Sequence, residues 1–336
     1  MPEIRIAAVG DLMVKLHLIS EARLPDGYSF DRLFSEVAPF LKRADLTIGN
    51  LETTFAGSDS GTHRKRKSAG PLFSCPDEFA HALKKAGFDV LTTANNHSLD
   101  TGVKGLVRTL DILDQNGLAH TGTFRSLKES RSYLIRDVQG IRVGILSYTK
   151  GTNRIPDPAG KPWMVNRIAP RRIVRDLQKL KAKTDLIVVC LHFGSEYFYH
   201  PTAGQKRLVS LLFRKGAHII LGSHPHVLQT SAVRGKRHLA IYSLGNFVST
   251  RLKNNPHTQS GIILNVKVSK PRKGKVSIQS VSYVPTWVHR NRSVQPGQAQ
   301  TQVIPNTSEQ KELQLSSEEQ QLMKQMLRRT AKLLGG

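Results

Sequence analysis

Six apolar runs in this chain each end on residues that can coordinate a cation or move a proton. "IRIAAVG" is followed by Asp11, and "LTIGN" brings in Asn50 and Glu52. "DVLTTA" leads to Asn95, Asn96 and His97, and "LIVVCL" to His192, with Glu196 four residues on. "AHIILG" is followed by Ser223, His224 and His226, and "HLAIYSLG" by Asn246. Mixed carboxylate, amide and imidazole donors suit a divalent transition ion such as Mn, Fe or Zn. With this many donors, one or two ions per chain are expected. Two adjacent ions would clamp the attacking and leaving oxygens of a phosphoryl displacement. The sharpest signal is His224-Pro225-His226. Alternate residues of an extended segment point the same way, so the two rings would converge, with Pro225 setting the turn between them. Taken singly, each residue also has a plain structural reading: asparagines suit tight turns, and a lone histidine is often a satisfied core residue.

These residues need elements that bring them together. Strands are expected at 4–9, 46–49, 89–94, 142–148, 186–192, 217–222 and 238–245. Helices are expected near 32–43, 76–87, 102–116, 170–183 and 203–215. Gly87, Gly117 and Gly216 stand where helices would end. Strand–helix alternation predicts an α/β architecture, in which ligands bind at the carboxyl ends of the strands. All six donor-bearing ends would then face one crevice. Residues 132–148 read as a hairpin turning at Gln139-Gly140, and 260–285 as two further antiparallel strands joined by the basic loop "SKPRKGK". A long loop over 151–166 could border the crevice. Residues 290–312 are rich in Gln, Pro and Ser and read as polar loop. "SSEEQQLMKQMLRRTAKLL" reads as a C-terminal helix, capped by serine and acidic at its start. The expected division is a main domain over 1–290, with the polar loop and C-terminal helix of 291–336 packed on it.

The 336 residues are 39% hydrophobic and 22% charged, as in a globular protein. Two cysteines, Cys75 and Cys190, offer neither a disulfide framework nor metal-ligand spacing. No apolar run approaches the length of a membrane span, and "MPEIRIAAVGDLM" lacks the pattern of a signal peptide, so a cytoplasmic location is expected. Fifty Lys+Arg against twenty-five Asp+Glu leave a net charge of +25. Such a field attracts an anionic substrate or polymer, or an anionic membrane surface. The densest basic runs lie at 63–67, 171–183 and 270–275. No zinc-finger spacing, RNA-binding aromatic motif or helix-turn-helix accompanies them, so nucleic acid has only the charge in its favour. The oligomeric state is not legible.

"GDLM" (10–13), "GNLET" (49–53), "ANNHSLDTG" (94–102), "HFGSEY" (192–197), "GSHPHV" (222–227) and "YSLGNF" (242–247) closely resemble, in order and spacing, the motifs of the CapA family. That family is named for poly-γ-glutamate capsule biosynthesis and belongs to the calcineurin-like metallophosphoesterase superfamily. The resemblance covers about residues 4–250. It implies a four-layer α/β/β/α sandwich with a metal site at one edge of the two sheets. By the superfamily's motifs, Asp11 and His226 would bind a first metal, and Asn96, His192 and His224 a second, with Glu52 bridging them. His97 would be the general acid, and Asp100 would orient its loop. Asn50, Asn95, Glu196, Tyr197 and Asn246 would line the site. Two positions depart from the superfamily's pattern: Met13 stands where a histidine is usual, and Glu52 replaces a bridging aspartate. The implied function is a metal-dependent hydrolase of a phosphoester or of an acidic polymer such as poly-γ-glutamate, in capsule biosynthesis. The alternative is a non-catalytic metal-containing protein that binds or escorts an anionic polymer.

Overall fold

The computed structural model describes residues 1–57, 71–272, 274–291, 300–307 and 315–335. The basic run 63–67, Lys273 and much of the stretch 290–312 lie outside the described residues. The chain opens with β1 (Glu3–Leu12), the short α1 (Leu16–Glu21) and a small hairpin of β2 (Arg23–Leu24) and β3 (Gly27–Tyr28). Two helical turns, α2 (Asp31–Phe34) and α3 (Ala38–Leu41), precede β4 (Leu46–Leu51), α4 (Glu78–Ala86), β5 (Val90–Thr92), α5 (Gly102–Gln115) and β6 (Ala119–Thr121). A hairpin of β7 (Leu134–Val138) and β8 (Ile141–Thr149) leads into α6 (Pro170–Lys181), β9 (Leu186–His192), α7 (Ala203–Lys215) and β10 (Ile219–Ser223). There follow β11 (Ser231–Arg234), β12 (His238–Ile241), β13 (Asn246–Val248), β14 (Ser260–Ser269), β15 (Ser277–Asn291), β16 (Gln300–Pro305) and α8 (Ser317–Leu334).

Two sheets form. One has the order β16-β15-β14-β1-β4-β5-β6, with β13 pairing β1; the other runs β11-β12-β10-β9-β8-β7. The period-2 alternation of the strands builds the layers. Ile4, Ile6 and Ala8 of β1 meet Val188, Cys190, Leu221 and Ile241 of the second sheet in the layer between the sheets. Ala7 and Val9 face the other way, onto Phe34, Phe79, Leu83 and Leu110 of α2, α4 and α5. In β9, Ile187, Val189 and Leu191 pack under Ile173 and Leu177 of α6 and Leu212 and Phe213 of α7. Helices thus cover both outer faces, and the architecture is the four-layer α/β/β/α sandwich.

The structure departs from the sequence reading in several places. The helix expected over 32–43 is two separate turns, because Pro39 enters at the start of α3 and cannot donate back to Ser35. The run 238–245 is not one strand. β12 ends at Ile241, and the chain crosses to the first sheet, where β13 begins at Asn246 and pairs β1. Gly10 and Gly245 permit that crossing: a Cβ on Gly10 would lie 1.9 Å from the carbonyl oxygen of Gly245, which accepts the N–H of Asp11. The stretch read as polar loop contains β16, which extends the first sheet beside β15, with Ile304 opposite Trp287. Met323 and Met326 of α8 close over those two residues, and Glu319 accepts from Trp287 Nε1 at 2.8 Å. The hairpin turn at Gln139-Gly140 has both residues left-handed, as a tight two-residue connection requires. Among the described residues, no helix is long and apolar enough to cross a membrane.

Candidate metal centre

Strand register gathers the donors. Asp11 at the end of β1 lies beside Asn50 of β4 on one side and Asn246 of β13 on the other. His192 at the end of β9 pairs Ser223 of β10. Glu52 follows β4 directly, its N–H donating to Leu12 at 3.0 Å. The two sheets therefore present their carboxyl ends to a common crevice.

Glu52 stands at the middle of it. From its Oε1, His192 Nε2 lies at 3.6 Å, His226 Nε2 at 3.8 Å and His97 Nε2 at 4.0 Å. Two groups of donor atoms, each within 4.8 Å of one another, share this carboxylate: Glu52, His192 and His224, and Asp11, Glu52 and His226. Asn96 Oδ1 sits 2.8 Å from His192 Nε2, on the side of the first group. In the second group, His226 Nδ1 is 3.2 Å from Asp11 Oδ2 and 3.0 Å from Asn246 Oδ1. Asn50 Nδ2 donates to Asp11 Oδ1 at 2.8 Å, and the His224 N–H donates to Asp11 Oδ2 at 3.3 Å.

Both oxygens of Glu52 are buried without a hydrogen-bond partner among the described residues, as is Nδ1 of His224. Burial pushes the Glu52 carboxyl well above the usual range, and the Asp11, Glu196 and Asp100 carboxylates add to it. Burial lowers His192 well below an ordinary imidazole, helped by the neighbouring rings, and brings His224 down to about 4. Burial thus works against the charged form of both partners in the Glu52–His192 contact. An unpartnered buried carboxyl costs several kcal/mol. A divalent ion among neutral imidazoles and carboxylates removes that cost, so the donor set fits Mn, Fe or Zn.

His97 occupies the rim of the same centre. Its Nδ1 lies 2.6 Å from Asp100 Oδ2, which also accepts the Phe73 N–H at 2.6 Å. The ring of Phe73 covers the imidazole at 4.2 Å between centroids. With Nδ1 committed to Asp100, Nε2 is the nitrogen that faces Glu52 and the crevice. Asn95 ties the two strand ends together: its Nδ2 donates to Leu51 at 2.6 Å and its Oδ1 accepts the His97 N–H at 3.1 Å.

The convergence of His224 and His226 has a different cause from the expected extended segment. Both residues are left-handed, with φ of 96° and 59°, and Tyr197, whose N–H donates to Pro225, has φ of 66°. Three strained non-glycine residues at one site mark a backbone held there by its surroundings. Met13 packs with Phe73 and Leu252, with Tyr197 against them, in a small apolar cluster. Burial, together with the neighbouring Glu196 carboxylate, raises the Tyr197 phenol.

Asn153 and Lys15 escaped the sequence reading, and Ser223 has a role that the reading did not assign. Asn153 donates to His97 Nε2 at 3.4 Å and accepts from Asn96 at 3.1 Å; only the length of the 151–166 loop hinted at it. Ser223 Oγ holds His192 Nδ1 at 3.1 Å and so orients the ring. Lys15 is lowered by burial and partly restored by Glu52, which puts a cation near the centre that no motif announced.

Residues 5–251 match the family model described as "Bacterial capsule synthesis protein PGA_cap". The chain belongs to this family of bacterial capsule synthesis proteins. Among relatives of the family, the capsule biosynthesis protein CapA of Bacillus anthracis is 33% identical over 250 residues, covering 73% of this chain and 60% of its own length. The PGA biosynthesis protein CapA of Bacillus subtilis (strain 168) is 28% identical over 254 residues, covering 71% and 62%. The chain thus spans about three fifths of the length of these relatives. A solved Staphylococcus aureus protein described as a "Putative 5'-Nucleotidase", in complex with alpha-ketoglutarate, superposes with a TM-score of 0.53 at 16% identity, covering 97% of this chain and 58% of that one. The fold of this capsule synthesis family member is accordingly that of the metallophosphoesterases.

Proposed function

We propose that the chain is a metal-dependent hydrolase of the CapA type, acting on a phosphoester or on an acidic polymer such as poly-γ-glutamate. The observation that carries this reading is the bare Glu52 carboxyl, buried between His192 and His226 and facing the His97–Asp100 pair. A divalent ion held by Asp11, Glu52, Asn96, His192, His224 and His226 would supply Lewis acidity and activate water near neutral pH. The chain's own residues do the rest. Asn50 and the His224 N–H fix Asp11, Ser223 fixes His192, and Asn246 fixes His226. Asp100 accepts from His97 Nδ1 and so orients the ring, leaving Nε2 toward the crevice as the nitrogen that would carry, in the protonated ring, the proton passed to the leaving group. Phe73 covers one side of the ring. The printed names of the relatives, capsule and PGA biosynthesis, support the acidic polymer over a small phosphoester. The test is hydrolysis of both substrate classes by metal-reconstituted protein, with His97→Ala as control. Cleavage that requires metal and falls with His97→Ala supports the reading.

The second reading is a metal-containing protein that only binds or escorts the polymer. The apolar setting of Met13 favours it, because one donor usual in the superfamily is absent. Metal uptake and polymer binding without cleavage of either class would select this reading.

A further inference from the structure

Beside the metal centre lies a polar cleft of about 650 Å³, bounded by the loop after β13, the end of β15, β16 and the start of α8. The loop, residues 249–255, is a wall shared with the metal centre. Ser249, Thr250, Arg251 and Asn254 face the cleft. Leu252 turns the other way, onto Met13 and Phe73. Lys253 Nζ lies 4.9 Å over the ring of Tyr197, which is 6.0 Å from the ring of His226. On the far side, His17 lines the cleft two residues after Lys15, whose charge is felt by both His17 and Glu52.

The lining mixes hydroxyls, amides and guanidinium with apolar surface from Trp287, Val288 and Leu322. Thr301, only 8% exposed, faces the cleft with its Oγ1 bonded to nothing among the described residues. A buried hydroxyl without a partner is unfavourable, and a ligand amide or carboxylate would relieve it. Two of the lining charges are already matched: Glu319 by Trp287 and His289, and Arg290 by Glu21. Arg251 is held through Nε by Gln259, with no carboxylate within ion-pair distance among the described residues, so its fork can take an anion. Glu318 stands exposed at the rim and opposes this. The volume falls in the range that buries a multi-unit ligand rather than a single carboxylate.

We infer that this cleft is a second binding site, one that holds the carboxylate-bearing amide chain running on from the bond at the metal centre. The inference rests on the proposed action on an acidic polymer. It assigns Arg251 to a chain carboxylate and Thr301 to a backbone amide or a second carboxylate.

The test titrates fluorescent γ-linked glutamate oligomers of two and about ten residues onto the full chain, with oligomer length checked afterwards by mass spectrometry. The longer oligomer is expected to bind about tenfold or more tightly than the shorter, because it reaches both sites. Arg251→Glu and Thr301→Val should each bring that ratio to within about twofold, and Glu318→Lys should raise it. Arg136→Glu, the same charge change on exposed β7 of the other sheet, should leave it as it was. Equal binding of both lengths, no binding of either, or a ratio that survives both cleft substitutions overturns the inference. Length-dependent binding without cleavage keeps the cleft and discards the hydrolase. Cleavage without length dependence does the reverse.

Discussion

Nε2 of His192 lies 3.6 Å from Oε1 of Glu52, and burial works against the charged form of both groups. That favours the neutral imidazole, which ligates, and opposes the carboxylate, which also ligates. Metal uptake should therefore release a proton, and affinity should rise with pH through the raised titration range of Glu52. Calorimetry of Zn or Mn binding in buffers of different ionisation enthalpy would measure the released proton. Glu52→Gln should abolish most of that release and weaken binding by more than about tenfold. Binding without proton release would contradict this account.

Met13→His offers the donor that is usual in the superfamily, but inside a cluster with Phe73 and Leu252. A polar ring there should lower the stability of the metal-free protein by about 1–3 kcal/mol. If the new ring reaches the Asp11 side, added metal should recover that loss and tighten the weaker site. Denaturant midpoints with and without metal would show both effects. A variant as stable as wild type and indifferent to metal would mean that Met13 is remote from the centre.

Asp100→Asn should leave metal content intact and lower turnover by about 10²- to 10⁴-fold, because the amide no longer fixes the proton on His97 Nδ1. Rates with metal content measured on the same samples decide this. A loss of metal in step with activity would assign Asp100 to building the site instead.

The net charge of +25 should govern encounter with an anionic partner more than any single motif does. Association with poly-γ-glutamate or anionic vesicles should weaken with salt, since the Debye length falls from about 10 Å at 0.1 M to about 3 Å at 1 M. Titrations across that range would test it, and salt-independent binding would count against it.

The α/β class was legible because apolar runs such as those of β1 and β9 alternate with amphipathic stretches, while the four layers came from the family resemblance. The donors were legible because each follows an apolar run that becomes a strand ending at the same crevice. What escaped depends on non-local geometry. Asn246 begins its own strand in the other sheet, an exchange that only the close approach of Gly10 and Gly245 permits. β16 hides in a polar stretch because half of its residues face outward and its partner, β15, supplies the ladder. Asn153 and Lys15 reach the centre from a loop and a turn whose local sequences carry no metal-ligand spacing. The turn at His224 and His226 was visible as Pro225, but its left-handed backbone was not.

The most direct test of the central claim is the metal content per chain after equilibration with Mn, Fe or Zn and removal of free ion. Wild type should retain one or two ions for each chain. The triple variant His192→Ala, His224→Ala, His226→Ala, which strips the imidazoles from around Glu52, should lose most of that metal. Equal retention in both proteins would contradict the assignment of this buried cluster as a metal centre.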